Sequence, residues 1–276
     1  MSLALLDPTE AKQTNKPKRL LVRVDDAGTS WSSNMGCLLA CTEGIAKSIE
    51  IMMPGAWVLH AAKLLNANSK VDVGIHLTLT SEWEAMKWRP LTRAKSLVDE
   101  NGHFLPLLLP RSGDERPCLA EADWSIDDIT QELRAQIAHG VALLQNVSHV
   151  SSHMIGHFND FDPRIGEIVS ELCHEFNLAD DALGHGLARI DGYPKFPRNT
   201  QVRTEAFAQS FANLPVGTHI FIDHPAVMSA ELEAIGHKGY QEVAIDRTTC
   251  LETLTSAKLK AAAEEHGVEL ISYQDL

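Results

Sequence analysis

The chain has 276 residues, 44% hydrophobic and 22% charged, a balance that excludes intrinsic disorder and allows a sizeable buried core. Acidic residues outnumber basic ones by 37 to 24, and the formal charge of −13 argues against a surface that neutralises nucleic-acid phosphates and against a polyanionic substrate. No nucleic-acid partner is expected. The five cysteines, Cys37, Cys41, Cys118, Cys173 and Cys250, are odd in number and form no CxxC pair. That fits neither a disulfide framework nor a thiolate zinc site, and suits a reducing cytoplasm. No stretch approaches the roughly 18 apolar residues of a membrane span, and the start lacks a basic-then-apolar leader pattern. The expectation is a cytoplasmic protein with no membrane partner, comprising a flexible tail over residues 1–17 and one catalytic domain over residues 18–276.

In chain order, the apolar run over 20–24 predicts a strand ended by Asp25-Asp26-Ala27-Gly28, with a helix following over 31–44. A second apolar run at 49–53 closes on Pro54-Gly55, a helical stretch covers 56–65, and a third strand over 71–75 ends on His76. Periodicity then fails, and residues 80–118 read as an irregular insertion, either a lid or specificity loop or a surface excursion. Ser125 and the acidic pair Asp127-Asp128 open an amphipathic helix that runs to 145, before a strand at 147–151. Asp162 as N-cap and Pro163 at the first helical position start a helix through Phe176. A short strand at 188–190, a helix at 201–212 and a strand at 218–222 follow, the last ending at Asp223-His224-Pro225. A helix over 247–266 and a strand over 268–273 complete the chain. Such alternation implies a parallel sheet with crossover helices, here an α/β single-domain distorted (β/α) barrel of about seven parallel strands.

In such a barrel the chemistry sits at the carboxyl ends of the strands. Asp25-Asp26, His76, His153 with His157, and Asp223-His224 all fall at predicted strand ends. Asp26, His76 and His153 together form an open two-nitrogen, one-oxygen ligand set suited to Zn²⁺ and tolerant of Mg²⁺, Mn²⁺, Co²⁺ or Fe²⁺. A cation there acidifies water and polarises a carbonyl, so hydrolysis is the natural reaction. Asp25 is the expected general base, and His224 is expected to protonate or hold the leaving group, or to stabilise the oxyanion. His157, spaced HxxxH from His153, is a third ligand, a supporting group or a substrate contact. His149 is placed to orient the His153 cluster, and the remaining histidines read as structural. No G-x-S-x-G elbow, G-x-G-x-x-G turn or Walker loop occurs.

The run from Leu20 to Gly28, then Asn34, Gly36, Ala40, Gly44, Ser48, Met52 and Gly55, resembles the opening of the YdjC-like carbohydrate deacetylases, the chitooligosaccharide deacetylase family. Gly74-Ile75-His76-Leu77-Thr78-Leu79-Thr80 resembles that family's second block, and His149-Val150-Ser151-Ser152-His153 with His157 its third. Asp223-His224-Pro225-Ala226, the stretch 254–260, Gly267 and Ser272-Tyr273 resemble the closing blocks. The resemblance implies a distorted β/α barrel that removes acetyl groups from N-acetylated sugars, with Mg²⁺ or Zn²⁺ on Asp26, His76 and His153, Asp25 as base and His224 as acid or stabiliser. It also implies a small-molecule N-acetyl sugar as partner and allows a homodimer.

The chain departs from the family pattern at several points. Arg23-Val24 replace Asn-Ala before the aspartate pair, and Ala27 replaces an aromatic residue. Ser151 stands where the family carries an aspartate, and the His-rich stretch after His153 thins to Met154-Ile155-Gly156. Loss of a carboxylate at 151 is expected to weaken support for the ligands. Two other readings accompany the deacetylase: a metal-dependent amide or ester hydrolase acting on a non-chitin small molecule, and a degenerate barrel that binds carbohydrate without turnover.

Overall fold

The computed structural model describes residues 17–181, 183–184 and 186–276. The expected tail lies outside the described residues, apart from Pro17, whose carbonyl accepts a hydrogen bond from the Gly217 amide at 3.0 Å. Seven strands form one parallel sheet: β1 (Lys18–Ala27), β2 (Ser48–Ile51), β3 (Asp72–Leu77), β4 (Val147–Ser152), β5 (Ala188–Arg189), β6 (Gly217–Asp223) and β7 (Val268–Ile271). Their order is β4-β3-β2-β1-β6-β5, with β7 paired to β1. β6 runs along one edge of β1 from Lys18 to Val24, so the other edge is shared, by β7 against Lys18–Leu21 and by β2 from Arg23 onward. The sheet curls as a half-barrel, in agreement with the expected distorted barrel.

β1 is buried on both faces from Leu20 onward, as expected of a central parallel strand. Leu20, Val22 and Val24 join the main core, whereas Leu21 packs inside the curl with Ile220, Ile222, Ile271 and Tyr273. The period-2 alternation therefore carries Arg23 and Asp25 inward, on the face of Leu21.

Eight α-helices are described: α1 (Trp31–Thr42), α2 (Val58–Asn66), α3 (Ile126–Leu143), α4 (Pro163–Phe176), α5 (Thr200–Ala212), α6 (Ala230–Glu233), α7 (Val243–Leu254) and α8 (Ala257–Glu265). Ser30, Ser125, Asp162 and Asn199 cap α1, α3, α4 and α5 with side chains that accept from first-turn amides. Among the described residues, no helix is long and apolar enough to cross a membrane. α1 approaches the chain after β6 so closely that a Cβ on Gly36 would lie 2.4 Å from Ala226 Cα and 2.5 Å from the Pro225 carbonyl oxygen. Gly36→Ala is expected to cost about 1–3 kcal/mol through overpacking against backbone. Urea unfolding checks this, and an unchanged midpoint would mean that the 225–226 segment has room to retreat.

Two sequence expectations need correction. The helix expected over 247–266 is two helices, because Ser256 is extended (ψ 131°) and the Leu254 carbonyl turns out to accept from the Ile45 amide. Both halves bury apolar residues, so the hydrophobic pattern does not reveal the break. The last strand stops at Ile271 instead of 273, since Ser272 and Asp275 cap a short 3₁₀ turn.

Residues 80–118 lack a repeating ladder yet bury Trp83, Trp88, Leu97, Phe104, Leu107 and Leu108. Side chains of α3 secure this segment. Glu132, itself buried, accepts from the Leu91 and Thr92 amides at 3.0 Å each, and Asp128 accepts from the Ser96 amide at 3.0 Å. Bonds of this kind, from side chain to irregular backbone, leave no periodic signature in a sequence.

Candidate metal centre

A β-bulge creates the centre. Between Val24 and Ala27, β1 carries one residue more than β2, and Asp26 sits in left-handed backbone at φ 73°. Adjacent strand residues ordinarily point to opposite faces; here the bulge lets both Asp25 and Asp26 face the same cleft. A non-glycine residue held there costs about 1–3 kcal/mol, a sign of a site under functional constraint.

Among the described residues, Asp26 is hydrogen-bonded through one carboxylate oxygen. Arg247 on α7 donates from Nη2 to Oδ2 at 2.6 Å, with its guanidinium 5.2 Å from the centre of the Trp83 ring. The other oxygen, Oδ1, is buried without a hydrogen-bond partner among the described residues, 3.4 Å from His153 Nδ1 and 4.0 Å from His76 Nε2. One ligand atom from each of these three buried residues lies within 4.8 Å of the other two. Donors around a tetrahedral cation at about 2.0–2.1 Å are about 3.4 Å apart, so the three residues fit a divalent ion with little adjustment. An orphaned carboxylate oxygen facing two imidazole nitrogens is what such an ion would satisfy.

Asp25 is bound differently. Arg23 clamps it, Nε donating to Oδ1 and Nη2 to Oδ2 at 2.9 Å each, while Oδ2 lies 3.6 Å from His76 Nε2. Arg23 also donates from Nη1 to the Tyr273 hydroxyl at 3.0 Å and to Asp181 Oδ1 at 3.3 Å. Burial pushes the Asp25 carboxyl up to about 6 against the lowering effect of Arg23. For Asp26 burial acts in the same direction, yet Arg247, His224 and His153 hold it well below the usual carboxylate range. Burial lowers His76 far below an ordinary imidazole, and the neighbouring His153 adds to that. His153 is buried too, but Glu82 and Asp26 bring it up to about 10, and its Nε2 lies 3.1 Å from Glu82 Oε2.

His224 lines the same cleft, partly exposed, with its amide donating to Asp223 Oδ1 at 2.8 Å. Burial would lower its imidazole, but the carboxylates of Asp26 and Asp223 raise it above the ordinary value. His157 does not join the cluster. Its Nδ1 caps the 3₁₀ turn at Phe158–Asp160 and its Nε2 lies 3.4 Å from Asp180, so the HxxxH spacing here reflects a loop cap. The cleft above the centre is open, with a volume of about 2060 Å³, and residues 111–117 line part of its wall. Trp83 stacks on His237 in that wall at 5.6 Å between ring centres.

The sequence reading missed Glu50, Glu82, Asp181 and Arg247, and assigned Arg23 and His237 no part in the site. Arg23 and Glu50 carried a usable signal, since each is a charge inside an apolar strand. Glu82 and Arg247 carried none, because only the fold brings them to His153 and Asp26.

Fold and centre together define a curled β/α barrel with a buried Asp-His-His cluster at the carboxyl ends of its strands. The profile of the family described as YdjC-like protein matches residues 19–265, and the chain belongs to that family. It is 32% identical to a chitooligosaccharide deacetylase of Yersinia enterocolitica, covering 94% of this chain and 99% of the relative. A carbohydrate deacetylase of Clostridium beijerinckii is 30% identical, covering 94% and 100%. The crystal structure of a protein from Enterococcus faecalis V583 superposes with a TM-score of 0.74 at 21% identity, over 94% of this chain and 98% of the other, which supports the fold.

Proposed function

We propose that the protein is a divalent-metal-dependent hydrolase that removes acetyl groups from N-acetylated sugars or oligosaccharides. The observation that carries the metal is the unpartnered Asp26 Oδ1 opposite His76 Nε2 and His153 Nδ1. The names of the Yersinia and Clostridium relatives support the acyl group and the sugar. A cleft of about 2060 Å³ exceeds the roughly 300–1,000 Å³ of ordinary small-molecule pockets and suits an extended substrate, with residues 80–118 forming part of its wall.

Zn²⁺ or Mg²⁺ held by Asp26, His76 and His153 would polarise the acetyl carbonyl and acidify a water. The remaining roles belong to side chains. Asp25, its orientation fixed by Arg23, takes the proton of the attacking water. His224, which follows β6 on the strand beside β1, gives a proton to the departing sugar amine, with Asp223 next to it.

Metal analysis combined with assays on N-acetylglucosamine oligomers tests the reading. Wild-type protein is expected to bind about one divalent ion and release acetate, while Asp26→Ala and His153→Ala lose both. Wild-type protein that binds the oligomers but holds no ion at micromolar supply would point instead to a non-catalytic carbohydrate-binding barrel.

A further inference from the structure

The two imidazoles facing Asp26 are both supported from behind, but by different means. His153 meets the Glu82 carboxylate directly. His76 meets a hydroxyl: its Nδ1 is 2.7 Å from Ser151 Oγ, and Ser151 in turn donates to Glu50 Oε2 at 2.6 Å. All five residues are buried.

The strand register explains how Glu50 reaches so far. Glu50 on β2, Gly74 on β3 and His149 on β4 lie side by side, and two residues further along His76 faces Ser151. Gly74 has no side chain, and the Glu50 carboxylate fills the space above it. A Cβ on Gly74 would lie 2.1 Å from Glu50 Oε2 and 2.3 Å from His149 Nε2. The other carboxylate oxygen is fixed by Ser48 Oγ at 2.9 Å and His149 Nε2 at 2.8 Å. Burial would raise the Glu50 carboxyl, but His149 and Arg23 bring it down to about 2, so it accepts hydrogen bonds and donates none.

Proton direction follows from that. The single Ser151 proton goes to Glu50, which leaves the hydroxyl oxygen only lone pairs to offer His76. Nδ1 of His76 must therefore carry the proton, and Nε2 is left bare toward Asp26.

We infer that Glu50 and Ser151 are joint positioning residues, a carboxylate–hydroxyl relay that fixes the tautomer and ring orientation of His76. Across two strands it supplies the support that one carboxylate at position 151 would give by contact. The inference rests on the metal-centre reading above for what His76 is held ready to bind. It also removes the deficit expected of Ser151, because the missing carboxylate arrives from β2. A carboxylate placed at 151 would face Glu50 as well as His76, so the two positions are interdependent.

The test is a cycle of full-length variants titrated with Zn²⁺ against a chromophoric chelator, with circular dichroism monitoring the fold. Ser151→Ala, Glu50→Ser and Ser151→Asp are each expected to weaken Zn²⁺ binding about 10–100-fold. Combining Ser151→Asp with Glu50→Ser is expected to recover most of that loss. A merely structural role for Glu50 predicts additive damage instead. A double variant no better than the worse single one, or Ser151→Ala with unchanged affinity, overturns the relay.

A second measurement needs neither a variant nor an ion. Long-range ¹H–¹⁵N spectra of metal-free wild-type protein are expected to show His76 protonated on Nδ1, and protonation on Nε2 alone overturns the relay. Wild-type protein that takes up no Zn²⁺ overturns the metal reading, while the tautomer decides the relay independently.

Discussion

Asp25→Asn is expected to keep the fold and the bound cation while lowering turnover on an N-acetylated sugar by about 10²–10⁴-fold. The two aspartates are adjacent in sequence but differ in what remains free. Both oxygens of Asp25 accept from Arg23, an arrangement that fixes the carboxylate plane. Asparagine retains one acceptor for that guanidinium, and Arg23 keeps Asp181 and the Tyr273 hydroxyl on Nη1. The fold therefore loses one half of a clamp, whereas the proposed reaction loses its proton acceptor. Metal content and kcat measured on one preparation separate the two effects. Loss of the ion with Asp25→Asn would mean that the adjacent carboxylates have exchanged roles.

Arg247→Ala is the second variant with a large expected effect, this time on stability. It removes the guanidinium that donates to Asp26 Oδ2 and leaves that buried oxygen without a hydrogen-bond donor among the described residues. Breaking a buried pair from one side costs about 3–5 kcal/mol. The lost packing of the guanidinium over Trp83 adds to the effect. The variant should then depend on divalent cation more strongly than wild type, since an ion replaces the missing positive charge. At one hundred times its Kd a ligand contributes about 2.7 kcal/mol to the folded state. Urea unfolding with Zn²⁺ and with EDTA, on both proteins, checks this. Equal midpoints in all four conditions would argue that no cation binds at Asp26.

Much of this architecture is legible in the sequence, because short apolar runs ending in Asp or His bracket the strands. Asp26, His76 and His153 do come together, and so does Asp25, since strand ends converge in any parallel barrel. What escapes a linear reading is the support around them. Glu50 looks like an intrusion in an apolar strand until the register sets it beside Gly74 and His149. Glu82 lies in an irregular segment and Arg247 on a distant helix, and no local pattern links either to a histidine or an aspartate. His157 illustrates the opposite failure, a suggestive spacing that the fold spends on capping a turn. Ser151 is a subtler case: it departs from a family pattern, yet the departure is meaningful only together with Glu50.

The left-handed backbone at Asp26 bears on how this scaffold could be redesigned. A φ of 73° is tolerated by Gly, Asn and Asp far better than by branched or bulky residues, and of these three only Asp brings a negative charge. The main chain thus narrows the choice of donor at position 26 before any ion is considered. His76 lies within β3, where the extended backbone accepts many residue types. Attempts to retune the centre toward a softer or harder cation should begin at position 76 and leave the bulge untouched.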